Sequence, residues 1–214
     1  MASFQTHIAV AAVGSLTASA VCLETGLLNQ PQALALFSLG ILAGILPDID
    51  SDHSIPTRLV FTILSFAVAI SAILIFQGQL SLLYLLGLAL TGALFVRFIV
   101  YALFARMTEH RGLFHSLPAA LIFGLGAFSL AYYLLGLTLN LAWLTAAYVS
   151  AGYLLHLLLD ELYSVNFIGL SMKKSFGSAL TLFSHSSWFA YLLMYAALGL
   201  AFYLLPLPYG LVSA

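Results

Sequence analysis

His156 and Asp160 stand four residues apart in the run Gly152-Tyr153-Leu154-Leu155-His156-Leu157-Leu158-Leu159-Asp160. On a helix that spacing puts an imidazole and a carboxylate on one face, a two-toothed clamp for a metal ion. A plain His–Asp hydrogen bond across a helical bundle would account for the pair if it stood alone. Three more polar stretches accompany it: Thr6-His7, Pro47-Asp48-Ile49-Asp50-Ser51-Asp52, and Glu109-His110-Arg111-Gly112-Leu113-Phe114-His115-Ser116. Histidines and aspartates gathered in an apolar chain are costly to bury unless something offsets their desolvation, and a divalent cation does so directly. Nitrogen and oxygen ligands without thiolate suit Zn²⁺ first, with Mn²⁺ or Fe²⁺ as alternatives, and suit Ca²⁺ poorly. The series Asp48-x-Asp50-x-Asp52 opens like a calcium loop, but its sixth position is His53 instead of Gly and its twelfth is Leu59 instead of Glu. The EF-hand reading therefore fails.

The neighbours of these residues divide into working groups and bystanders. Glu109 or Asp50 beside a metal could take a proton from water, and Arg111 could hold an anionic group such as phosphate bidentately. A helix-end ion pair is the plainer account of Glu109. His110 and His115 are five apart, without the helical spacing of a zincin, so they reach a site from a loop that bends at Gly112. Asp52 and His53 read as solvated, Glu161 as a neighbour of the clamp, and His185 as an interfacial residue or a ligand. Arg97, inside an apolar helix, either snorkels to the membrane surface or faces a carboxylate in the bundle.

The elements that must position these residues are membrane helices. Hydrophobic residues make up 63% of the chain and charged residues 6%, against roughly 25% charged in an ordinary soluble domain. Apolar stretches near the ~20 residues needed to cross a bilayer recur throughout, leaving room for one integral membrane domain over residues 1–214. Near-neutral charge without a basic arm excludes nucleic acid as a partner. Turn signals divide the chain into about seven helices, near 7–23, 32–46, 56–76, 80–107, 116–136, 141–163 and 188–205, with residues 164–187 interfacial. Ser116 is placed to cap the fifth helix, with Pro118 in its first turn. Gly40 and Gly44 form a GxxxG that admits close helix approach. Ala18-Ser19-Ala20 resembles a cleavage site, but no basic residue precedes it, so the first helix reads as retained. Cys22 reads as a small core residue. If all seven helices cross, every polar cluster shares one face with Arg58, Arg106, Arg111, Lys173 and Lys174. The positive-inside rule makes that face cytoplasmic, with the N-terminus in and the C-terminus out.

The set of Thr6-His7, Pro47-Asp48-Ile49-Asp50-Ser51, the HRGxxHS element at residues 110–116 and HxxxD at 156–160 resembles the YdjM-like family of bacterial inner-membrane, metal-dependent hydrolases. More remotely, the order His, Asp, His, HxxxD is similar to the zinc-dependent phospholipase C and P1 nuclease superfamily. Carried over, that order makes His7, Asp48, His115, His156 and Asp160 the metal ligands. The superfamily's further His and HxxxE pair are missing, since residue 189 is Phe four positions after His185. One or two ions are therefore expected, not three. The resemblance implies a hydrolase and names no substrate; the placement of the site in a membrane, on the face the positive-inside rule makes cytoplasmic, leads to the expectation of a membrane lipid or a lipid-linked phosphoester. A metal or proton transporter, and a structural membrane protein whose metal only fastens loops, are the alternatives.

Overall fold

The computed structural model describes residues 3–50, 55–107, 113–166, 171–172 and 180–207. Polar caps punctuate the apolar chain. Helix α1, Phe4–Glu24, starts at Ser3, whose hydroxyl accepts from the Thr6 N–H at 3.2 Å. Helix α2, Gln30–Ala43, opens with Asn29 and Gln32 each accepting the other's backbone N–H at 3.0 Å, a capping box, with Pro31 in the first turn. A 3₁₀ turn, Leu46–Asp50, follows. Helix α3 is Ile55–Phe76, and α4, Leu82–Leu94, runs through a π-turn at Phe95–Val100 into α5, Tyr101–Met107. Helix α6, Leu117–Ser129, begins at Ser116, whose hydroxyl accepts from the Ala119 N–H at 3.3 Å. This is the cap its sequence predicts, and Pro118 lies in the first turn as expected. A second π-turn, Leu130–Leu134, precedes α7, Leu139–Leu162. The chain then forms a two-residue antiparallel pairing of Val165–Asn166 with Ser171–Met172, a 3₁₀ turn at His185–Ser187, and helix α8, Trp188–Leu204.

The fold is all-α apart from that short pairing. Six helical stretches are long and apolar enough to cross a membrane: 4–24, 57–76, 82–104, 117–134, 139–162 and 185–204. The remaining apolar helix, α2, has 14 residues, a rise of about 21 Å at 1.5 Å per residue, whereas a hydrocarbon core is ~30 Å thick. Among the described residues there are then seven apolar helical segments, one of them short. The fourth expected helix, at 82–107, is longer than the ~20 residues a bilayer needs and carries a π-turn in its middle. Residues 167–170 and 173–179 of the expected interfacial segment lie outside the described residues.

Packing gathers the chain into two units, Met1–Pro47 with Leu113–Ala214, and Asp48–Gly112. In the first, α7 is the central helix, in contact with α1, α2 and α6. Helix α1 runs antiparallel to α7. The Ser19 and Tyr148 hydroxyls meet at 3.1 Å near one end, and His7 reaches Asp160 near the other. Helix α6 is also antiparallel to α7: Phe128 packs on Trp143 at one end, and the Phe114 carbonyl accepts from the Tyr153 hydroxyl towards the other. The starts of α1 and α6 and the end of α7 therefore coincide. In the second unit α3 and α4 form an antiparallel hairpin turned at Gly78, with Phe61 against Tyr101 and Phe104.

Candidate metal site

At that shared end of the first unit, one carboxylate sits among three imidazoles. Asp160 is 1% exposed, His7 3%, His156 2% and His115 0%. His7 Nε2 lies 3.3 Å from Asp160 Oδ1, while His115 Nε2 and His156 Nε2 lie 3.7 and 3.9 Å from Oδ2. The last two separations exceed the 2.7–3.2 Å of a hydrogen bond. A tetrahedral ion with ligand bonds of 2.0–2.1 Å holds neighbouring ligand atoms roughly 3.3 Å apart, close to what these side chains already adopt. One ligand atom each from His7, His156 and Asp160 all fall within 4.8 Å of one another.

The orientation of His156 is fixed from behind. Its Nδ1 lies 2.7 Å from the Gly44 carbonyl oxygen. A carbonyl can only accept, so Nδ1 carries the proton and Nε2, on the side facing Asp160, is left with the lone pair a metal needs. The rings of His7 and His156 stack with centroids 3.7 Å apart and planes 13° from parallel. His7 Nδ1 is buried without a hydrogen-bond partner among the described residues. Buried polar atoms are nearly always satisfied, so His7 Nδ1 is an atom that a bound group would satisfy. His and Asp donors with no sulfur fit a small divalent cation. His7, His156 and Asp160 could hold it, with His115 Nε2 beside the same carboxylate.

Close helix approach makes this geometry accessible. At Gly44 an added Cβ would lie 2.5 Å from the Ala11 Cβ, and at Gly152 one would run into the Gly40 carbonyl. The expected GxxxG thus brings the end of α2 against α1 and α7, and that contact delivers the Gly44 carbonyl to His156. The residues around His115 are held by backbone bonds. Besides Tyr153 on the Phe114 carbonyl at 2.6 Å, the Thr181 hydroxyl donates to the His115 carbonyl at 2.8 Å, and the Leu117 N–H donates to the Thr181 carbonyl at 3.1 Å.

A family model described as YdjM inner membrane protein matches residues 1–172. The chain belongs to that family. No curated protein and no solved structure matches it. Family membership and the six long apolar helices together make it a multi-pass inner-membrane protein. The matched span contains all four clustered side chains and ends before Thr181.

The other sequence candidates are distributed as follows. Asp48 and Asp50 lie in the turn Leu46–Asp50, where the Thr57 hydroxyl donates to the Ile49 carbonyl at 2.7 Å; the Asp50 side chain is outside the described set. Glu109, His110 and Arg111, and likewise Asp52, His53, Lys173 and Lys174, lie outside the described residues. Glu161 follows the clamp on α7, half-buried. His185 is exposed and edge-on to Phe183 at 5.2 Å. Arg97 lies in the first π-turn with its guanidinium 5.5 Å from the Tyr101 ring and 6.0 Å from that of Phe98. No carboxylate is within ion-pair distance of it among the described residues. Sequence reading missed the Gly44 carbonyl, Tyr153 and Thr181: the first acts through a backbone atom and the other two donate hydroxyls to backbone carbonyls, contacts that follow no residue-type pattern.

Proposed function

We propose that the protein is a membrane-embedded metal-dependent hydrolase that cleaves a lipid-linked phosphoester at the cytoplasmic face. The observation that carries this reading is the buried Asp160 with three imidazole nitrogens within 4 Å of its oxygens. Leaving a carboxylate out of water costs several kcal/mol unless charge and hydrogen bonds compensate, a cost that a purely structural site would avoid by using an apolar residue. A divalent ion held there supplies Lewis acidity, polarising a phosphoryl oxygen and making water acidic enough to attack near neutral pH. The chain's own groups bind and orient: His7, His115, His156 and Asp160 as ligands, with Asp48 added on the sequence pattern. Asp50 or Glu109 takes the proton from water, and Arg111 holds the anionic group.

The lipid part of the reading draws on an apolar groove of about 270 Å³ lined by Leu113, Phe114, Ala119, Ile122, Phe123 and Met194. It begins at the two residues before His115, so a hydrocarbon chain lying in it would bring its headgroup close to the cluster. A transporter is less well supported, because the polar cluster gathers at the helix ends, whereas transporter sites lie near the bilayer midplane. The test is release of phosphate or alcohol from labelled phospholipids and polyprenyl phosphates by the protein in nanodiscs with Zn²⁺ or Mn²⁺. Hydrolysis abolished by chelation and by Asp160→Ala is expected. No turnover, or turnover that survives both, overturns the enzyme.

A further inference from the structure

We infer that Thr181 and Tyr191, beyond the span that matches the family model, are positioning residues for the metal ligand His115. Their hydrogen bonds run in one direction. The Thr181 hydroxyl lies 2.8 Å from the His115 carbonyl oxygen and 3.0 Å from the Tyr191 hydroxyl. A hydroxyl has one proton and the carbonyl can only accept, so the Thr181 proton goes to His115 and Tyr191 donates to Thr181. The relay is Tyr191 O–H to Thr181 O–H to His115 C=O, in which each bond polarises the next. Tyr191 is 1% exposed and His115 0%, and Thr181 between them is half-buried.

Thr181 also grips the chain through its backbone. It pairs with Ser116 in a parallel bridge, and its carbonyl accepts from the Leu117 N–H at 3.1 Å. With Tyr153 on the Phe114 carbonyl, the stretch is tied at two places: the carbonyl of 114 to α7, and the carbonyl of 115 and the N–H of 117 both to Thr181. His115 lies on an irregular stretch before the first turn of α6, where no helical ladder holds its φ and ψ. Outer hydrogen bonds of this kind orient a ligand. Helix α8, carrying Tyr191 in its first turn, thereby becomes part of the metal site without contributing a ligand.

This inference rests on the metal-site reading, and its test separates the two. Affinity for Zn²⁺, by chelator competition, and the visible spectrum of bound Co²⁺ are measured on the purified full chain for wild type, Tyr191→Phe, Thr181→Val and Thr181→Ser. Removing outer-sphere bonds typically weakens metal affinity 10- to 100-fold. Tyr191→Phe and Thr181→Val are expected to lose about tenfold or more and to shift the Co²⁺ spectrum, while Thr181→Ser, which keeps the hydroxyl, stays near wild type. On a His115→Ala background Thr181→Val should cost nothing further, because both changes act through one ligand. Variants that bind as wild type does, Thr181→Ser failing as badly as Thr181→Val, or additive losses with His115→Ala would each overturn the positioning role. A wild type that takes up neither ion overturns the metal site and this role with it.

Discussion

Asp160 is the residue on which the candidate site turns, because it is the carboxylate all three imidazoles face. Two opposing effects act there. Without an ion, its burial is a cost; with one, it is the charged ligand that offsets the ion's own desolvation. Asp160→Asn keeps the shape and removes the charge. In chelator the variant should melt at or above the wild-type temperature. Added Zn²⁺ should raise the wild-type melting temperature and leave the variant's unchanged, as linkage requires of a ligand that binds the folded state alone. Thermal melts with and without chelator decide this, and a wild type insensitive to metal would remove Asp160 from any ligand set. The HxxxD spacing made this residue legible in the sequence, since side chains four apart on a helix must share a face. His7 and His115 are about 150 and 45 positions away, and no local period ties them to it: the count of helix crossings puts them on the same face, and the resemblance names them as ligands.

At the scale of the element, the contact of α2 with α7 carries the site. Gly152 has the Gly40 carbonyl against it, and Gly44 has the Ala11 Cβ, so a methyl at either place must push helices apart. An alanine gains up to ~1 kcal/mol of helix propensity over glycine, while overpacking costs typically 1–3 kcal/mol; overpacking wins. Gly152→Ala should therefore lower stability by about 1–2 kcal/mol and weaken Zn²⁺ binding by drawing the Gly44 carbonyl away from His156. Equilibrium unfolding in detergent and metal competition measure the two effects, and a variant as stable as wild type would show that the helices can slide apart freely. GxxxG announced the close approach in the sequence, and Ser116 with Pro118 announced the start of α6. The two π-turns were not legible, because Phe95–Val100, apolar but for Arg97, and the apolar Leu130–Leu134 carry no Gly, Pro or other signal that separates them from ordinary α-helix. Helix α2 ends at Ala43, a few residues short of the expected 46: the chain leaves α-helix at Gly44, and Pro47 falls within the following 3₁₀ turn.

For the whole molecule, the charge pattern and the shared end of α1, α6 and α7 bear on sidedness. The proposed cytoplasmic placement of the cluster predicts that cysteines introduced at Asn140 and Ser186, both exposed, in a Cys22→Ser background, label from opposite sides of the inner membrane, with position 186 reached from the cytoplasm. Labelling of both from one side would overturn that placement. The membrane class was plain from 6% charged residues alone. Division into two packed units was not, since nothing in the composition changes at residue 48 or 112.

The hydrogen bond from His156 Nδ1 to the Gly44 carbonyl also decides which residues could ever replace this histidine. A carboxylate or a thiolate can ligate a cation as well as an imidazole can, but in its ligating form neither has a proton to offer. Either would set an acceptor against the carbonyl at the end of α2, leaving a backbone group unsatisfied in a place without water. Position 156 is thus restricted to the one ligand that gives a lone pair forward and a hydrogen backward. The end of one helix and the chemistry of another are tied to a single ring, and neither can be redesigned without the other.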